Sequence, residues 1–145
     1  MRLALLLPLG LIAAACGSST SLHSRGPAPA RGSAGPPPAW IETKGGTYWL
    51  GFSSWCWTKG HTGVCADMIT PECGMKGVPE VPVNRGEQVQ AHLGYTPEEA
   101  SVEGTDAELH GRMVSWHVKQ AGPFLLFTSG RGRDASYAGC AAFAS

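Results

Sequence analysis

Ser53-Ser54-Trp55-Cys56-Trp57-Thr58-Lys59-Gly60-His61 is where side chains able to do chemistry crowd most closely in this 145-residue chain. If the backbone is extended there, Trp55 and Trp57 share one face and Cys56 points to the other, because side chains alternate along a strand. Two tryptophans on an exposed face, with His61 in the turn that follows, would make a binding platform for a sugar, a peptide or a protein partner. Turned inward, the same pair would serve as packing beside a disulfide. Trp55, Trp57 and His61 are therefore the candidate ligand-binding residues.

Other chemistry is less well supported by spacing. His61, Cys56, Cys65 and Cys73 are all zinc-ligand types, but no pair is spaced C-x-x-C, and an oxidising compartment would take the thiols into disulfides. No metal and no cofactor is expected. Glu98, Glu99, Glu103, Asp106 and Glu108 lack the alternating acids and glycine turn of a calcium loop, and read as a solvated loop. Nothing holds two of these carboxylates across a cleft for glycoside hydrolysis. His92, His110 and His117 read as surface histidines. Gly130-Arg131-Gly132-Arg133-Asp134-Ala135 satisfies G-x-G-x-x-A formally, yet only ten residues follow it, so it is a hairpin loop and no dinucleotide site. Ser53 and Ser54 follow Gly51 without a G-x-S-x-G elbow. An enzyme is not expected.

The elements that would position these residues begin with an address. Met1 and Arg2 precede an apolar run from Leu3 to Ala15, too short for the ~20 residues of a spanning helix, and this is a secretory signal peptide. Its end, Leu11-Ile12-Ala13-Ala14-Ala15-Cys16, resembles the lipobox of bacterial lipoproteins. The resemblance implies that residues 1–15 are removed and that Cys16 is lipidated and becomes the mature N-terminus. The two or three acyl chains it implies would hold the protein stably on the outer leaflet of the cytoplasmic membrane or on the outer membrane.

Cysteine parity agrees with this address. Of five cysteines, giving Cys16 to lipid leaves Cys56, Cys65, Cys73 and Cys140 as an even set. Four cysteines allow three pairings, and the sequence alone does not choose; the preferred one joins Cys56 to Cys65 across Lys59–Gly63, and Cys73 to Cys140. From Trp40 onward there are eight Lys/Arg against eleven Asp/Glu, a net charge near −3 that gives no basic footprint for nucleic acid.

Residues 16–39 are rich in Gly, Ser, Ala and Pro, with Leu22 as the one large apolar residue after Cys16, and read as a tether. Residues 40–145 form one domain. Trp40–Lys44 and Thr47–Phe52 flank Gly45-Gly46 as a hairpin. Val81 and Val83 alternate around Pro82, as on an edge. Val89, Ala91 and Leu93 alternate with polar residues, as do Val114, Trp116 and Val118. Ala100–Glu103 and Asp134–Phe143 read as further strands, and Phe124–Thr128 as one buried on both faces. Only Pro97–Glu99 and Thr105–His110 hint at helix.

About seven to nine short strands at this spacing predict an all-β, disulfide-stapled antiparallel β-sandwich of immunoglobulin-like architecture, with a small β-barrel as the alternative. Tyr137 precedes Cys140 by three residues, where the immunoglobulin tyrosine corner has two, so only the architecture is claimed. The domain resembles small secreted lipoprotein domains of actinobacterial or other high-GC bacteria. That resemblance rests on Ser54-Trp55-Cys56-Trp57, Cys65-Ala66-Asp67 and Asp134-Ala135-Ser136-Tyr137, and it implies no assigned activity. The functional expectation is a non-enzymatic binding or interaction module for an unknown protein or glycan partner. Alternatives are an inhibitor of a cell-wall hydrolase or, further off, an enzyme or metal carrier.

Overall fold

The structure is a computed structural model describing residues 24–29, 34–68 and 70–145. The expected signal peptide, Cys16 and half of the expected tether lie outside the described residues. Within them the chain forms eleven strands and no helix: β1 Trp40–Thr43, β2 Gly46–Trp49, β3 Gly51–Lys59, β4 Thr62–Ala66, β5 Glu80–Val83, β6 Gln88–His92, β7 Glu99–Val102, β8 Ala107–His110, β9 Met113–His117, β10 Gly122–Ser129 and β11 Arg133–Phe143. They build a sandwich of two sheets. The first runs β2-β1-β6-β9-β8, the second β4-β3-β11-β10-β7, with β5 also on β11. Every pairing is antiparallel except that of β5 with β11.

Period-two alternation places the core. Ile41, Val89, Ala91 and Val114 of the first sheet are buried, as are Val81, Leu126, Tyr137 and Ala141 of the second. Packed together between the sheets, these side chains form a single cluster with Trp57, Tyr95 and Trp116. Burying each large one is worth roughly 1.5–3 kcal/mol in removed apolar surface.

Strand β11 carries the second sheet. On one side it pairs with β10 from Ala135 to Ala141. On the other it pairs with β3 over its first half and with β5 over its last four strand residues. Between Ala135 and Tyr137 the β3 register shifts, a bulge where Ser136 Oγ donates to the carbonyl of Ser54 at 2.7 Å. Disulfides join Cys56 to Cys65 across β3 and β4, and Cys73 to Cys140, the preferred pairing. The second holds the loop before β5 against β11. That loop comes so close that a side chain at Gly51 would meet the carbonyl oxygen of Gly77 at 1.9 Å.

Several local expectations give way to tertiary packing. Thr105–His110 does not turn into helix: Ala107–His110 is β8, paired residue for residue with β9, which turns Ala107 and Leu109 toward the core. Glu99 likewise opens β7. The β1–β2 hairpin exists, with Lys44 and Gly45 rather than Gly45 and Gly46 at its tip, because Thr43 pairs with Gly46. The buried carboxylate of Glu87 accepts the amide of Lys44 at 2.5 Å and that of Asn84 at 2.7 Å, tying two turns together as buried polar groups require.

The stretch read as tether is not free up to Ala39. Pro36 and Ala39 are buried, Tyr137 Oη donates to the carbonyl of Pro37 at 2.9 Å, and Pro37 packs so closely on Gly94 that no side chain fits there. Proline offers apolar surface at little side-chain entropy cost, so these residues are drawn onto the sandwich edge.

Candidate functional site

The second sheet has an inner face on the core and an outer face that the loop before β5 covers in part, at Gly51 and Cys140. Register decides which side chains stand on it. Trp57, Ala135, Tyr137, Leu126 and Val102 point inward. The alternate positions must point outward: Cys56 beside Asp134 and Cys65, and Ser136, Phe127 and Ser101 in a row across β11, β10 and β7. Phe124–Thr128 is therefore not buried on both faces, since Phe127 is 42% exposed. These outward residues line an open groove of about 930 Å3 that wraps the sheet edge, its lining also taking in Trp55, Ala100, Thr128 and Ala135 from the inner side and Ala107 and Leu109 of β8.

Apolar floor and polar rim are arranged differently. Phe127, Leu109 and the Cys56–Cys65 disulfide supply apolar surface. Asp67, Glu98, Glu99 and Asp134 supply carboxylates, and among the described residues no lysine or arginine lines the groove. Hydrogen bonds hold the polar groups in place: Ser54 Oγ donates to Asp67 Oδ1 at 2.9 Å and accepts the amide of Met68 at 3.1 Å. Asp134 Oδ1 accepts the amide of Gly130 at 3.4 Å. From the neighbouring loop, Arg131 reaches Glu98 at 2.9 Å, an exposed pair worth at most about 1 kcal/mol. Asp67, Glu99 and Asp134 form no salt bridge among the described residues.

Beneath the floor lies a buried hydroxyl relay. Tyr95 Oη donates to Thr128 Oγ1, which donates to the carbonyl of Ala135 at 3.0 Å. Burial pushes the Tyr95 hydroxyl above the ordinary tyrosine value of 10.0 and the Asp134 charge adds to this, against hydrogen bonds with Thr128 and Tyr137 that lower it. Burial, and then Glu87, raise Tyr48 likewise. The folded protein thus prefers these tyrosines protonated. Their contribution is intact through neutral pH and is lost as pH climbs past about 10 toward the raised folded values. Denaturant midpoints measured from pH 8 to 11 should fall at the alkaline end, and Tyr95→Phe should flatten, without abolishing, that fall.

Trp55, Trp57 and His61 are not assembled into one exposed platform. Trp57 is buried at 8% exposure, edge-on to Tyr95 with ring centroids 4.7 Å apart, and the Arg133 guanidinium lies 5.5 Å from its ring. Trp55 faces the same way, half-buried, with Gly35 against its indole and part of it reaching the groove. His61 stands exposed at the β3–β4 hairpin tip. The disulfide lies on the opposite side of β3 from both indoles, so they pack against the core and not over the sulfurs.

Chemically the groove offers apolar surface beside carboxylates and hydroxyls. Ser54 has a carboxylate partner, but among the described residues no histidine lines the groove to serve as its base. Among those residues, too, no three His, Cys, Asp or Glu side chains are placed to hold a metal ion. Sequence reasoning missed Phe127, Ser101, Ser136 and Asp67 as a set; the signal available was Ser54 and Cys56 alternating with Trp55 and Trp57. No family model, curated protein or solved structure matches the chain.

Proposed function

We propose that the chain is a membrane-anchored, extracytoplasmic lipoprotein whose folded part is a non-enzymatic binding module, with the outer face of the six-stranded sheet as its ligand surface. The observation that carries the reading is the open groove, whose apolar surface and three carboxylates without a salt bridge, Asp67, Glu99 and Asp134, suit a cationic ligand with apolar surface, such as a lysine-rich amphipathic peptide. Two disulfides support export, since such bridges persist in oxidising compartments. Cys16 is the lipid attachment point in this reading.

Trp55 reports on the groove from its wall, so its emission is the natural probe. Titrating a lysine-leucine peptide should give a saturable change that weakens as salt rises. Phe127→Ser, an exposed position, should weaken binding at least tenfold with little change in melting temperature. Equal affinity in that variant would remove the groove from the proposal. For the anchor, the intact mass of protein taken from its native membrane should show cleavage before Cys16, added diacylglycerol and four hydrogens gained on reduction of the two disulfides. An uncleaved, unlipidated chain would overturn that half of the reading.

A further inference from the structure

The outer face of the first sheet holds a second, unrelated constellation. Trp40 and Trp49 stand directly opposite each other on β1 and β2. Ile41, between Trp40 and Glu42, is buried, so the tryptophans and Glu42 point away from the core. The Arg25 guanidinium lies 4.3 Å from the ring centroid of Trp40 and 4.9 Å from that of Trp49. Two aromatic rings within about 6 Å of one cation are the arrangement that attracts it through their negative faces.

The surroundings fix this clamp in place. His92, the cross-strand neighbour of Trp40 on β6, stacks on it at 3.8 Å with planes 4° apart. Glu42 Oε2 lies 3.3 Å from His92 Nε2, behind the ring that supports the indole. His92 is thus a supported, partly buried ring rather than a freely solvated one. Along the paired strands this face carries Glu42 and Glu108 and, among the described residues, no lysine or arginine. The cation therefore comes from outside the sheet.

Recognition extends to the main chain beside the cation. The Arg25 amide donates to Thr47 Oγ1 at 3.3 Å, and Trp49 Nε1 donates to the carbonyl of Gly26 at 3.0 Å. Gly26 has φ of 63°, a conformation that side chains disfavour. The clamp therefore reads an arginine, the amide before it and a glycine after it.

We propose that Trp40 and Trp49 form a guanidinium clamp that recognises an Arg-Gly segment of a polypeptide, and that the chain's own Arg25-Gly26 is an exchangeable occupant that keeps it closed. Exchange is feasible because the occupying segment lies on the surface: Ser24 and residues 26–28 are exposed and Arg25 is half-buried. A tethered occupant acts at an effective concentration on the order of millimolar, so an outside ligand meets a masked site until that occupant is removed. Guanidinium is preferred over ammonium because its plane stacks on indole and it is more weakly hydrated.

The test reads the Trp49 indole N–H by nuclear magnetic resonance in the full chain, titrated with N-acetyl-Arg-Gly amide and with its Lys-Gly counterpart. Arg25→Ala should shift the free Trp49 resonance, and the Arg-Gly probe should then bind at least tenfold more tightly than to wild type, with Lys-Gly weaker than Arg-Gly. Adding Trp40→Ala to Arg25→Ala should abolish the response. Arg25→Gln, which keeps the aliphatic stem, replaces Arg25→Ala should the alanine chain lose its fold. Identical titrations of wild type and the opened variants, or a Trp49 resonance unmoved by loss of Arg25, would overturn the proposal.

Discussion

A chain carrying Cys73→Ser and Cys140→Ser should melt on the order of 20 °C below wild type in far-ultraviolet dichroism at neutral pH, given a loss of about 4 kcal/mol. The bridge spans a sequence separation of 67, and in the chain-entropy account closing a loop of that size removes about 4 kcal/mol of unfolded-state freedom. The loss is large against the 5–15 kcal/mol that typically holds a domain together, each figure being approximate. Native contacts at the bridge also depend on it. The Cys140 amide donates to the carbonyl of Pro79 at 2.8 Å, and the backbone at Gly77 lies against Gly51. Opening Cys56–Cys65 instead, with a separation of 9, should cost about 3 kcal/mol or less, because the short hairpin loop is partly pre-formed by its own ladder. A drop under about 5 °C for the Cys73/Cys140 variant would show that β5 and its loop are held without the bridge.

Trp57→Ala should destabilise the fold by about 3–5 kcal/mol, the range for deleting a buried aromatic side chain. Trp57 is buried against the Tyr95 ring, and its removal would leave a cavity beside the hydroxyl that reaches Thr128. Trp55→Ala should cost less, since that indole is only half-buried. Urea titration of the two variants separates the cases. If Trp57→Ala and Trp55→Ala shift the midpoint equally, the difference in burial carries no weight and the division between core and groove wall falls with it.

The fold was readable in the sequence wherever one face of a strand is apolar and the other polar. Val89 and Ala91 against Gln88 and Gln90 give β6 its register without further help. β8 was not readable, because Ala107, Glu108 and Leu109 are good helix formers and only pairing with β9 makes them a strand, a tertiary effect that local propensity does not contain. Trp55 and Trp57 were correctly placed on one face opposite Cys56, but alternation does not say which face is inside. The outward row of Ser136, Phe127 and Ser101 was hidden for another reason: its members come from three strands and meet only through the sheet. Arg25 was hidden by its company, since a Gly-Pro-rich stretch reads as tether and nothing local announces that Trp40 and Trp49 will flank its guanidinium.

β11 is the last of the eleven strands in chain order, yet it is the hydrogen-bonding neighbour of β3, β5 and β10 alike. Until it is present, β4 and β3 form only an isolated hairpin, β5 has no partner in the sheet, and β10 has only β7 beside it. Isolated hairpins are marginal in water. Synthesis in the amino-to-carboxyl direction therefore leaves the second sheet incomplete until β11 emerges. Contacts of such long sequence separation also make folding slow. The second sheet therefore closes in one late step, when β11 joins strands made at three earlier points of the chain.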